Sequence, residues 1–177
     1  MGKIVAVEYM TLDGVFEDPA WSGPYFNEEL QKWQWDNLIA ADVMLLGRKT
    51  YEAFKDAWPK MEEETGDFGR KMNGMPKRVA TTTLTEPDWN ASFIAGDVAE
   101  AVRELKDGPE SVLINGSADL VNYLTKHKLI DEYRIMVYPV VVGAGRKLWD
   151  DGTEAKLTLA DSFVTKSGVA VLTYVPA

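Results

Sequence analysis

A chain of 177 residues with 46% apolar and 27% charged side chains has enough apolar surface to bury a core of its own, and it reads as one globular domain over 1–177. Its 19 basic and 28 acidic residues give a formal charge of −9, which argues against a general binder of nucleic acid or of acidic membrane. The lack of cysteine excludes disulfides, thiol catalysis and thiolate metal sites, and a single histidine, His127, leaves no histidine cluster, so no metal is expected.

The start, MGKIVAV, holds only a short apolar run before Glu8, far below a signal core or a membrane span, and a cytoplasmic location is expected. Residues 4–9 predict a central strand, ended by a turn at Thr11-Leu12-Asp13-Gly14. Residues 15–24 read as a loop whose Trp21 either closes over a pocket or plugs the edge of the core. Residues 25–40 predict a helix with two covered sides, one stripe carrying Phe26, Leu30, Trp33 and Asn37 and the other Asn27, Gln31, Trp35 and Leu38.

The stretch DVMLLGRKTYEAF (42–54) predicts strand, tight turn and helix. Gly47 has no Cβ and allows a sharp turn or a close approach to a ligand, while Tyr51 and Phe54 fall on one face of the helix behind it. Arg48, Lys49 and Thr50 then stand at the helix start, beside N–H groups with no partner inside the helix, a place that attracts phosphate. The same pattern also occurs in α/β proteins where the cations are merely solvated.

Residues 59–75 are acidic, with Glu62, Glu63, Glu64 and Asp67, and are interrupted by glycines; they predict a mobile surface excursion. KRVATTT (77–83) reads as a short strand ending in threonines that either donate to phosphate or close a turn. A minor strand at 92–94 and a helix over 97–106, capped by Asp97 or Gly96, follow. Residues 111–114 and Asn115-Gly116-Ser117-Ala118-Asp119-Leu120 repeat the strand–glycine–helix pattern, so two such junctions and the threonines can line one groove at the carboxyl ends of the strands. A long strand over 133–142, with Pro139 implying an edge or bulge, leads into GAGRK, a turn that superficially resembles a dinucleotide loop and offers Arg146 as a further cation. Two strands, 153–164 and 168–175, close the chain as a hairpin, which makes the sheet mixed at that end.

The order of the first strand, the tryptophan-bearing loop, GRKTYE, KRVATTT, NGSADL, LIDEYRIMVYPVVVGAG and the final hairpin resembles the dihydrofolate-reductase-like fold. More closely, it resembles the reductase domain at the C-terminal end of the bacterial bifunctional deaminase-reductase of riboflavin biosynthesis. The resemblance implies an α/β, three-layer fold: a central, mainly parallel mixed sheet, flanking helices and a C-terminal antiparallel hairpin. It implies NADPH across the carboxyl ends of the strands. Gly47, Arg48, Lys49 and Thr50 would meet the pyrophosphate and the adenosine phosphate, and Thr82 and Thr83 would complete the 2′-phosphate site. Asn115, Gly116, Ser117, Ala118, Asp119 and Leu120 would form a second phosphate-facing turn, and backbone groups of Val5, Ala6 and Val7 would approach the nicotinamide.

The sequence departs from these relatives at stated places. Dihydrofolate reductases carry a carboxylate on the first helix to support protonation, and Gln31 stands near that place. The second junction reads Asn115-Gly116-Ser117 in place of consecutive glycines. The deaminase domain has no counterpart, and neither has the basic serine-arginine signature for the substrate's ribose phosphate. The expected activity is NADPH-dependent hydride transfer to a small heterocycle or its ribosyl derivative. Asp13 and Gln31 are the catalytic candidates, and Trp21, Asn27 and Trp35 the substrate-binding ones. A dihydrofolate-reductase-like enzyme with altered substrate and a nucleotide-binding module without turnover are the alternatives. A homodimer is expected, with Tyr133, Ile135 and Val137 offering apolar surface.

Overall fold

The computed structural model describes residues 2–177. It contains one eight-stranded sheet in the order β4-β3-β2-β5-β1-β6-β8-β7. The strands are β1 (Ile4–Thr11), β2 (Val43–Gly47), β3 (Lys77–Ala80), β4 (Ala91–Phe93), β5 (Val112–Ile114), β6 (Glu132–Tyr138), β7 (Leu157–Val164) and β8 (Ala170–Pro176). The pairs from β4 across to β6 are parallel, whereas β8 runs antiparallel to both β6 and β7, which is the mixed sheet and terminal hairpin that the segment order predicts.

The buried strand VMLLG has apolar side chains on both of its faces and therefore needs a layer over each. On one side lie α1 (Glu28–Ile39), α2 (Arg48–Thr65) and α3 (Asp67–Gly74), with Leu30, Leu38, Tyr51 and Met72 buried against Met44, Leu46 and Val79. On the other lie α4 (Val98–Asp107) and α5 (Ala118–Lys126), whose Val102, Val121 and Leu124 pack on Ile4, Ala6, Leu45 and Ile114. Caps fix the helix starts. The side chains of Asn27, Asp97 and Ser117 accept from the N–H groups of Leu30, Glu100 and Leu120 at 3.0, 3.0 and 3.2 Å.

Four sequence expectations are corrected. Residues 59–75 are not a mobile excursion: Pro59 lies inside α2, and Gly66, at φ +62°, joins α2 to α3. Aromatic packing outweighs the local breakers, because Trp58 meets Phe68 at 5.4 Å and Phe54 at 6.3 Å between ring centroids. The helix expected over 25–40 begins only at Glu28, because Asn27 caps it, and the loop expected over 15–24 holds a 3-10 segment, Pro19–Tyr25. The strand expected over 133–142 stops at Tyr138, before Pro139. Tyr133 and Ile135, expected to offer apolar surface, are 3% and 5% exposed; within the sheet, large apolar side chains are exposed instead on the edge strand β7, at Leu159, Phe163 and Val164.

Candidate active site

The register of β1 opens the site. β1 pairs with β5 only as far as Ala6 opposite Ile114, but with β6 it continues to Thr11 opposite Tyr138. From Val7 onward the β5 side of β1 is thus bounded by the turn Asn115-Gly116-Ser117 and not by a strand. With its amide in the orientation that satisfies both of its groups, Asn115 donates to the Val7 carbonyl at 3.2 Å, and the Gly116 N–H donates to Glu8 Oε1 at 2.7 Å. The other junction closes on the same point, with Gly47 N–H donating to the Gly116 carbonyl at 3.1 Å. Gly116 has φ +85°, and a Cβ there would stand 2.7 Å from Thr50 Oγ1, so glycine is required both by the turn and by the approach of α2. The Gly116–Ser117 peptide bond is cis.

A cavity of about 830 Å³ lies along this opening, with Val7, Glu8 and Tyr9 on its floor. It follows α2 from Lys49 in the first turn to Thr65 at the end, which at ~1.5 Å per residue is about 24 Å. Its volume is near the upper end of the roughly 300–1,000 Å³ of small-molecule sites.

Its two ends differ chemically. At the start of α2, Lys49 and Thr50 line the cavity and the first turn carries no acid, so unpaired N–H groups and a cation face the same space. Arg48, the neighbour of Lys49, does not line it; its Nη1 donates to Glu52 Oε2 at 2.8 Å. At the start of α5, Asn115, Ser117, Ala118 and Asp119 line the cavity. Ser117 is taken up by its capping bond, and Asp119 holds Arg146 at 2.7 Å, while Asp150 holds the same guanidinium at 2.5 Å. At the far end Gln31 and Gln34 of α1 face Phe54, Trp58 and Phe68, and Gln34 Nε2 reaches Met136 Sδ at 3.6 Å. Met136 is the register partner of Tyr9, so this amide reaches the floor.

Glu8 was not among the residues singled out from sequence. It is 1% exposed, and burial raises its pKa well above the ordinary 4.5, with the Gly116 N–H acting in the opposite sense. A carboxyl in this state retains its proton at a pH where exposed acids have lost theirs. A lone acid within the apolar run IVAVEYM was the available signal.

The other predicted residues divide. Val7, Lys49, Thr50, Asn115, Ser117, Ala118, Asp119 and Gln31 line the cavity, and Gly47 and Gly116 form its hinge points. Val5 and Ala6 are within the paired part of β1, and Leu120 is buried in the core, where its N–H serves the Ser117 cap. Thr82 and Thr83 are exposed on the loop after β3 and do not line the cavity; the Thr83 N–H donates to Thr81 Oγ1 at 3.3 Å. Asp13 does not line it either. It accepts from Thr11 Oγ1 at 2.5 Å and from the Gly143 N–H at 2.8 Å, and these bonds, the hydroxyl first, hold its carboxyl below the usual range. Trp21 packs edge-on to Tyr9 and Tyr138, Asn27 caps α1, and Trp35 packs on Phe68, all outside the lining.

The comparisons with known proteins bear on this arrangement. Residues 2–171 match the model of the RibD C-terminal domain. The chain is 28% identical over 176 residues to the uncharacterised protein YyaP of Bacillus subtilis (strain 168), covering 97% of this chain and 94% of that one. The fold is shared with a protein of Shewanella sp. PV-4 provisionally assigned to riboflavin biosynthesis, at TM-score 0.80 and 19% identity over 100% of this chain and 99% of that one. It is shared too with a diaminohydroxyphosphoribosylaminopyrimidine deaminase/5-amino-6-(5-phosphoribosylamino)uracil reductase of Thermotoga maritima, at TM-score 0.67 and 16% identity, covering 99% of this chain and 57% of that one.

Proposed function

This chain belongs to the RibD C-terminal domain family of riboflavin-biosynthesis reductase-like proteins, and from that premise we propose that it is an NADPH-dependent reductase acting on a small heterocycle or its ribosyl derivative. The observation that carries the reading is the opening of the sheet beyond Ala6 and Ile114, closed by the two glycine junctions and continuous with the start of α2.

The residues present fit such a cofactor. Its pyrophosphate would be held by the free N–H groups of α2 and by Thr50, Lys49 would supply the charge that the adenosine 2′-phosphate calls for, and Gly47 leaves the backbone open to close approach. Its nicotinamide would lie over Val7, Glu8 and Tyr9, where backbone and Asn115 offer amide-type partners. When bound, the cofactor supplies the hydride. The chain's own part is to orient the ring on the floor of β1, to exclude water with Phe54, Trp58 and Phe68, and to hold a proton on Glu8 within the cavity. Pairing as a homodimer belongs to the same reading, through the exposed apolar edge of β7.

Titration of the protein with NADPH and, separately, NADH, followed by nicotinamide fluorescence, tests the reading. Binding with a clear preference for NADPH is expected. Binding of neither would overturn it.

A further inference from the structure

The far end of the cavity contrasts with the start of α2 in a way that specifies what it receives. A phosphate group needs either a cationic side chain or a helix start with free N–H groups. The cations lining this cavity, Lys49 and Arg146, are both at the end formed by α2 and α5, and Arg146 is already held between Asp119 and Asp150. Among the described residues lining the far end there is no lysine or arginine, and Glu64 adds a negative charge there. The helices that begin around it are closed to anions as well. α1 opens with Glu28 and Glu29 behind the Asn27 cap, and α3 opens with Asp67, whereas α2 has no acid in its first turn.

The remaining lining is of two kinds. Phe54, Trp58 and Phe68 cluster there, Trp58 standing edge-on to Phe54 at 6.3 Å and tilted 30° to Phe68 at 5.4 Å between centroids, and such aromatic surface suits a flat ring. Gln31 and Gln34 supply amide donors and acceptors from the opposite side, which suits lactam or amidine edges.

We propose that the substrate of this site is a flat, phosphate-free heterocycle, neutral or cationic, taken as the free base or nucleoside and not as the nucleotide. This rests on the reductase reading, which assigns the phosphate-binding end of the cavity to the cofactor. It separates the chain from the Thermotoga maritima reductase, whose name carries a phosphoribosylamino group.

The test uses a matched pair, 5-amino-6-(5-phosphoribosylamino)uracil and the same compound without its phosphate. Each is titrated into the whole protein with and without NADP, and binding is read from calorimetry and from quenching of the tryptophan fluorescence. The phosphate-free member is expected to bind about tenfold tighter or better. Glu64→Arg, an exposed change in the last turn of α2, is expected to narrow or reverse that ratio while the affinity for NADPH stays as it was. Equal or tighter binding of the phosphorylated member to the natural protein, binding of neither, or an unchanged ratio in Glu64→Arg overturns the proposal. Discrimination within the pair by a protein that does not bind NADPH would instead overturn the reductase reading and leave the substrate class standing.

Discussion

Gly47 and Ser117, which are far apart in the chain, stand so close that a Cβ on Gly47 would lie 2.0 Å from Ser117 Oγ and 2.9 Å from the Ser117 nitrogen. The end of β2 and the start of α5 are therefore pressed together at the point where β1 and β5 separate, and the cavity begins at their junction.

Gly47→Ala is accordingly expected to destabilise the protein by about 1–3 kcal/mol, the usual cost of overpacking a fitted interior. Gly47→Ala with Ser117→Gly should regain only part of this, because the backbone nitrogen of residue 117 remains within 2.9 Å of the new methyl. Urea denaturation of the two variants checks both statements.

The two adjacent cations of α2 should be unequal. Lys49 lines the cavity, and Arg48 is turned to Glu52. Lys49→Ala is expected to raise the Kd for NADPH about tenfold, or ~1.4 kcal/mol, and Arg48→Ala to raise it less. Each should affect NADPH more than NADH, because the 2′-phosphate is the group that needs the charge. Fluorescence titration of the two variants with both nucleotides decides the order.

Glu8 links the site to stability. Its folded pKa is raised above the ordinary 4.5 by burial, so between 4.5 and the folded value the native state binds more protons than the unfolded chain. Stability is lost as pH rises through that window. Glu8→Gln removes the cost, and its thermal midpoint should exceed that of the natural protein at pH 8 but not at pH 4. If Glu8 also supplies the proton, turnover in the same variant should fall about 100-fold or more.

Lys77 provides a second test of linkage, remote from the cavity. It is 1% exposed, with its ammonium 3.8 Å from the Trp89 ring centroid and donating to the Asn73 carbonyl at 3.1 Å. Burial lowers its pKa from 10.5 to about 8. Between those values the unfolded chain binds more protons, so stability should rise with pH from about 8 to 10.5. The rise is expected to be about 1–3 kcal/mol. Lys77→Met should flatten it, as measured by denaturation across that pH range.

The sequence by itself determined what depends on near neighbours along the chain. The two strand–glycine–helix junctions, the mixed sheet and the terminal hairpin all follow from short apolar runs, helical spacing and turn residues, whose signals extend over only a few positions. The choice of Lys49 over Arg48 as the cavity's cation was decided by the rotation of α2, which Tyr51 sets by burying itself in the core. The helices over 59–75 depend on rings of Phe54, Trp58 and Phe68 meeting across a turn, an energy that the proline and glycines in the same stretch conceal locally. Thr82, Thr83 and Asp13 lie on loops, and where a loop leads is set by what it joins. Glu8 faces Gly116 across 108 residues of sequence, so the group placed at the floor of the site became legible only when β1 and β5 were set side by side. Local propensity is encoded in neighbours, whereas the meeting of distant side chains, with the burial that changes their chemistry, arises from packing.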